Sequence, residues 1–199
     1  MYGGTNPSAL QSQRMLADAM VRLMASHSFS EITVTMLCSK ANVSRQTFYK
    51  MFDDKEDVVR YVAKGKCLDF ERSMVAFDEF SLDQLATCTF AFFEGNIHLV
   101  RRLIDNQLHH LLQEQAQQAL ADLLTCYRCD GDAVLDESNR AFIAGGLCSM
   151  LVSWVREGNA LPVEERARRF SQLFAIGAFR RIGSAEESTE LLARSSREA

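Results

Sequence analysis

With 199 residues and 47% hydrophobic side chains, the chain can bury one sizeable core, or a small domain joined to a larger one, which excludes disorder as its general state. Only two prolines and ten glycines interrupt long runs of good helix formers, so an all-α fold is expected. The net charge of −4 hides an asymmetry, because residues 1–66 hold nine Lys or Arg against six Asp or Glu, about +3, and the remainder carries about −7; a basic head on an acidic body suits a head that binds a polyanion.

The opening MYGGTNPSAL lacks the basic and apolar regions of a secretory signal, so a cytoplasmic protein is expected. The six cysteines are read as reduced thiols, most of them small core residues. Residues 1–9 are expected to form a disordered tail, with Ser8 offering a helix cap at its end. Over residues 10–27, Met15, Leu16, Ala19, Met20, Leu23 and Met24 recur at spacings of three and four, which predicts an amphipathic helix with one buried face.

Residues 32–55, ITVTMLCSKANVSRQTFYKMFDDK, read as two short helices joined by a tight turn. The first covers residues 34–41, the bend falls on residues 42–44, and a second helix opens at Arg45 with Arg, Gln, Thr and Lys on its outward face. Thr33 or Thr35 supplies the first cap, and Asn42 takes the left-handed conformation that the bend requires. Asp53 and Asp54, ahead of Lys55, Glu56 and Asp57, cap the helix that follows. This is the layout of a helix-turn-helix DNA reader, whose second helix enters the major groove with its first residues at the base edges. Arg45 and Gln46 are therefore the expected base readers, since arginine forks onto guanine O6 and N7 and glutamine onto adenine N6 and N7.

The same passage resembles the N-terminal DNA-binding domain of TetR-family transcriptional regulators over roughly residues 11–60. Thr33, Val34, Leu37, Ala41, Val43, Ser44, Thr47, Phe48, Tyr49, Phe52 and Lys55 stand where that family's pattern expects their residue types. Cys38 replaces a usual alanine, Asn42 a usual glycine, and Met51 a frequent histidine or aromatic residue. The resemblance implies a three-helix DNA-binding domain over residues 10–56 and a helical ligand-binding and dimerisation domain over residues 57–183, with residues 184–199 left as a polar tail. It further implies that Thr35, Ser44, Thr47, Tyr49, Lys50 and Lys55 lie on or near the DNA backbone, with Lys50 also within reach of a base.

Beyond the motif the chain reads as helix after helix: residues 57–78, 82–94, 97–105 and 107–126. Asp130 and Gly131 signal a loop over residues 129–132. A helix over residues 136–158 follows, its middle, residues 141–155, free of charge but too short to span a bilayer comfortably. Gly145 and Gly146 beside Ala144 should let another helix approach closely. Pro162, with Glu164 and Glu165 behind it, opens a last helix lined by Phe170, Leu173, Phe174, Gly177 and Ala178. Two consecutive helices this apolar have more surface to bury than one small body offers, and in the resembled family the last two helices pair across a two-fold axis. A homodimer is expected, with Leu147, Leu151, Trp154, Phe170, Phe174 and Ala178 at its interface.

Members of the resembled family commonly release DNA when a small molecule enters a cavity in the body. Residues able to line one here are Phe90, Phe93, Leu103, Leu108, Leu111, Tyr127 and Met150, with His98, His109 and His110 as polar anchors. Cys126 and Cys129 form a C-x-x-C, which alternatively makes the protein a redox- or metal-responsive regulator. No glycine-rich phosphate loop, nucleophile elbow or compact His and carboxylate motif is present, so no catalytic residue, cofactor or metal ligand is assigned. The expected function is a dimeric, sequence-specific repressor released from its DNA operator by a small-molecule effector. An enzyme and an effector-free adaptor are the remote alternatives.

Overall fold

The computed structural model describes residues 3–4, 6–129, 136–158, 161–173 and 179–198, and every structural statement below refers to these. The all-α expectation holds: ten helices and three very short strands occur among the described residues. Helix α1 (Pro7–Met24) is capped by Asn6, whose side chain accepts the Ser8 N–H at 3.0 Å, with Pro7 at its first position. Ser8, expected as the cap, therefore lies inside the helix, and residues 7–9 of the expected tail are helical. Leu16, Ala19, Met20, Leu23 and Met24 form the buried face that their spacing predicts.

Helices α2 (Val34–Ala41) and α3 (Arg45–Met51) pack on α1, and α4 (Lys55–Val75) runs from this head into the body. Asp54 caps α4 by accepting the Asp57 N–H at 2.8 Å, so the helix starts two residues earlier than expected. Its buried residues Val58, Val59 and Ala63 belong to the head end, and Phe70 and Met74 to the body end. The C-terminal end of α4 leads into strand β1 (Glu79–Phe80), after which come α5 (Leu82–Gly95), α6 (Ile97–Asp105) and α7 (His109–Thr125). A capping box between Ser81 and Gln84 starts α5.

Three corrections concern the rest of the body. Cys129 does not begin a loop; it ends strand β2 (Tyr127–Cys129). After α8 (Glu137–Arg156), the last expected helix, α9 (Val163–Ser171), stops at Ser171, and the chain returns as strand β3 (Phe179–Arg181). Leu173, expected to line that helix, is 70% exposed, while Phe174, Gly177 and Ala178 lie outside the described residues. The segment read as a polar tail carries α10 (Ala185–Glu198), which docks on α4 and α7 through buried Ser188 and Leu192.

The strands form an antiparallel sheet in the order β1-β3-β2, with Phe80 opposite Phe179 and Cys129 opposite Phe179 on the other side. Phe80 stacks on Tyr127 and Phe179 at centroid distances of 4.5 and 5.3 Å. The Tyr127 hydroxyl donates to the carbonyls of Met74 and Phe77, each at 3.0 Å, and so closes the frayed end of α4. Around this knot α4 packs on α7, α7 on α8, and α5 on α9. Gly146 faces Phe170, and a Cβ there would stand 3.1 Å from the ring, which is the close approach expected of the glycine pair. Gly145 meets only ordinary contact, from Gln117.

Candidate nucleic-acid interface and regulatory core

The head is built by local hydrogen bonds that its sequence encodes. Thr33 Oγ1 accepts the Met36 N–H at 3.2 Å and caps α2, which leaves Thr35 exposed on the first turn. Asn42 adopts φ 53° and ψ 46°, the left-handed conformation expected of it, and turns the chain into α3. Ser44 caps α3, accepting the Thr47 N–H at 3.0 Å while its hydroxyl pairs with that of Thr47 at 2.8 Å. Below, Leu37, Phe48, Met51 and Phe52 are buried, and Val43 packs against them.

That burial fixes what α3 shows to the outside. Arg45 and Gln46 occupy its first two positions and are exposed, as is Lys50 one turn on. Tyr49 is 54% exposed, its ring held edge-on against Phe48 at 5.2 Å. Ser44, Arg45, Gln46, Thr47, Tyr49 and Lys50 thus lie on one short helix and its cap, while Thr35 stands on the first turn of α2. No acidic residue lies in the first turn of α3.

Lys55 differs from that group. Its ammonium donates to the carbonyls of Phe29 at 2.6 Å and Ile32 at 3.0 Å and lies 4.3 Å over the Phe29 ring. The expected outward phosphate contact is corrected to an inward one, which ties the start of α4 to the α1–α2 connection. The body grips the same connection. Phe29 N–H donates to the Asn106 side chain at 2.6 Å, and Arg102 donates to the Ala25 carbonyl at 2.9 Å, both from the C-terminal end of α6.

In the body, the expected ligand-lining residues do not surround a cavity. Phe90, Phe93, Leu103, Leu108, Leu111 and Tyr127 are packed core, at most 5% exposed. Burial pushes the Tyr127 hydroxyl up to about 12, and its bonds to Met74 and Phe77 give it a structural task. His98 and His110 are exposed, and Met150 is half-buried against the core. A small cavity of about 10 Å³ lies elsewhere, between Val100 and Ile104 of α6, His109 and Leu112 of α7, and Cys148 and Leu151 of α8. Of the expected anchors His109 alone borders it.

The expected dimer residues also turn inward. Leu147, Leu151, Trp154 and Phe170 are 0–4% exposed within a single chain, because α8 and α9 bury their most apolar stripes against α7 and α5. Phe174 and Ala178 lie outside the described residues. Two buried charged residues were not anticipated from the sequence. The Arg166 guanidinium stacks 3.8 Å over the Trp154 ring; only its i,i+4 spacing from Pro162 and Phe170 on a helix hinted at an inward face. Glu71 is buried in α4 with Oε2 lacking a partner, and burial pushes its carboxyl up to about 7.

Cys126 is buried, and burial pushes its thiol up, which disfavours the thiolate that redox exchange or metal binding needs. The Cys129 side chain lies outside those described. Among the described residues no three His, Cys, Asp or Glu side chains are placed to hold a metal ion, and no helix is long and apolar enough to cross a membrane.

Comparisons with known proteins agree with the head. The family described as "Bacterial regulatory proteins, tetR family" matches residues 16–62, the span from α1 to the first two turns of α4. Among solved structures, the chain is similar to the fatty acid degradation regulator FadR from Bacillus halodurans, with TM-score 0.56 and 19% identity over 85% of this chain and 95% of that one. It is similar to the dihydroxyacetone kinase operon activator DhaS, with TM-score 0.54 and 17% identity over 81% and 93%. It also resembles the TetR family repressor AlkX from Dietzia sp. strain DQ12-45-1b, with TM-score 0.52 and 20% identity over 92% and 96%. No curated protein sequence matches the chain. At these identities the structures speak to the fold, which extends the likeness across the body. Residues 16–62 are thus matched in sequence by the tetR family of bacterial regulatory proteins, and the fold of most of the chain is similar to that of these solved structures.

Proposed function

We propose that the protein is a dimeric repressor whose two heads read successive major grooves and leave the operator when a small molecule binds the body. The observation that carries the DNA-reading part is the exposure of Arg45 and Gln46 at the first two positions of a helix whose opposite face, Phe48 and Met51, is buried in the head. A helix held in that way presents its N-terminal end to a groove, with free N–H groups and hydroxyls of Ser44 and Thr47 beside it for phosphates. Thr35, Tyr49 and Lys50 flank it and set position, while Arg45 and Gln46 choose sequence. Selecting bound DNA from a random pool with the full-length chain tests this. A two-fold symmetric site with half-sites about one helical turn or a multiple apart is expected; no enriched sequence overturns it.

Dimerisation is supported by what α8 leaves outside. Phe142 is 63% exposed, and Ser149 and Ser153 follow it on the outer side at helical spacing, so a second helix can approach closely there. Sedimentation velocity of the chain, and of a Phe142→Arg variant that should fall to monomer, tests the interface.

Release is supported by the seam at α6. Arg102 and Asn106 hold the α1–α2 connection, while Val100 and Ile104 on the same helix wall the cavity. A molecule that enlarges the cavity moves α6 and, through these bonds, the head. The shift between head arrangements can be no larger than the ligand's differential affinity for them.

A further inference from the structure

We propose that the C-terminal helix α10 is a clasp that closes over α4 and α7 only while the Glu71 carboxyl carries its proton, so that a rise in pH opens it and frees the body end of α4. The device is independent of release at α6, because its residues lie on α4, α7 and α10.

α10 is built to leave as a unit. Its start is secured within itself: the Ser184 N–H donates to the Glu187 carboxylate at 2.7 Å and the Glu187 N–H to the Ser184 hydroxyl at 3.2 Å, a capping box that needs nothing from the body. Gly183, at φ 80°, joins it to β3, and a Cβ there would collide with the Glu187 carboxylate. Docking uses little surface. Ser188 and Leu192 are buried, Ala185 and Ser195 are half-buried, and Leu191 remains 48% exposed. Ser195 ties the far end by donating to Asp122 Oδ2 at 2.7 Å.

The clasp closes over two carboxyl groups of unequal standing. Asp122 of α7 is satisfied, with Gln118 donating to one oxygen at 2.9 Å and Ser195 to the other. Glu71 of α4 is 4% exposed, and its Oε2 has no partner. Ser188 of α10 comes down on the same seam, its hydroxyl near the Cys126 thiol but without a hydrogen-bond partner. An ionised Glu71 would be a buried charge with an oxygen that no donor reaches, beside the negative charge of Asp122; the neutral acid is tolerated. Burial and then Asp122 raise its carboxyl to about 7, against the opposing pull of Arg72 and Lys64 on its own helix. The thiols that feel Glu71, Cys67 and Cys126, are held neutral by burial. Among its described side chains α10 brings no charge inward, since Glu186, Glu187, Glu190 and Arg194 are exposed, and the charged residues of α1 and α5 are exposed as well.

When α10 lifts, water reaches Glu71 and its carboxyl returns toward 4.5, so the closed clasp holds the extra proton and weakens as pH rises through about 7. Between pH 6 and pH 8 the closing equilibrium should fall by about tenfold.

Amide exchange of the full-length chain, followed by NMR at both pH values and corrected for intrinsic rates, tests this together with the carboxyl carbon resonance of Glu71. Amides of α10 should be less protected than those of α7 by about tenfold or more, the mark of a helix that opens on its own, and their protection should fall by about tenfold from pH 6 to pH 8. The Glu71 carboxyl should titrate near 7. Glu71→Gln should leave α10 equally protected at both pH values, which separates Glu71 from the histidines that titrate in the same range. The proposal is overturned if α10 and α7 share one protection value, if α10 protection does not change with pH, if the Glu71 carboxyl titrates near its ordinary value, or if Glu71→Gln keeps the wild-type pH dependence.

Discussion

Replacing Lys55 by methionine separates two tasks that a lysine at this position could have. The substitution keeps an unbranched apolar stem over the Phe29 ring but removes the ammonium, which donates to Phe29 O at 2.6 Å and Ile32 O at 3.0 Å. Hydrogen bonds from a charged group contribute about 1.5–3 kcal/mol each, and water reaching this half-buried site replaces part of that, so a loss of about 2–4 kcal/mol is expected. For a chain of this size each kcal/mol lowers the melting temperature by roughly 2–4 °C, which places the expected fall at roughly 4–16 °C. Thermal denaturation at fixed protein concentration measures it, and the salt dependence of operator binding is recorded in parallel. A phosphate contact would behave in the opposite way, with stability unchanged and the salt slope reduced by about one unit. That second pattern would refute the inward assignment.

Arg45→Ala should cost about 1–3 kcal/mol on the preferred operator and relax one base position, read by fluorescence titration against a set of single-base variants. Tyr127→Phe removes the donor that closes the end of α4 and leaves the Met74 and Phe77 carbonyls short of a partner, so urea titration should show a loss of about 1–3 kcal/mol. Asn106→Ala should speed amide exchange at Phe29 by about fivefold or more, equivalent to roughly 1 kcal/mol of lost protection; unchanged exchange would remove α6 from the coupling. Glu71 has its carboxyl raised to about 7 in the folded chain against an ordinary value of 4.5, so the folded state binds the extra proton between those limits. Stability should therefore fall as pH rises from about 4.5 through 7, by at most about 3 kcal/mol, and Glu71→Gln should flatten that dependence and stabilise the protein at pH 8, as urea titrations across that pH range would show.

How much of this was legible in the residues varied with the range of the forces involved. Thr33, Asn42, Ser44 and Asp54 act on backbone groups two to four residues away, and their roles could be read from residue type and spacing. The buried faces of α1 and α7 follow from periodicity in the same way. The strands could not be seen, because each has two or three residues and is held by partners about 50 and 100 positions distant, Phe80 against Tyr127 and Phe179. A polar composition hid α10, whose docking needs only Ser188 and Leu192 to turn inward. The apolar helices α8 and α9 suggested an open interface because their surface was weighed without α5 and α7, which cover it. The cavity was missed for a related reason: aromatic side chains fill space efficiently and become core, whereas the gap forms where Val, Leu and Ala side chains of three helices fail to meet.

The position of Lys55 shows why the join between head and body escapes a reading by residue type. It is the first residue of α4, where the helix dipole is positive and a cation is electrostatically misplaced; Glu56 and Asp57, next in the chain, are the residues that suit that end. A lysine there gains by turning its ammonium away from the helix axis, and the carbonyls of Phe29 and Ile32 are the acceptors within reach. The Phe29 backbone is then held on both sides of its Cα, its carbonyl by Lys55 of the helix leaving the head and its N–H by Asn106 of the body. A motion of α6 by more than about 1 Å would either break the 2.6 Å bond to Phe29 or carry Phe29 with it. In the release mechanism proposed above, carrying it would also pull on the Lys55 ammonium and the start of α4, so the head would turn about the α1–α2 connection.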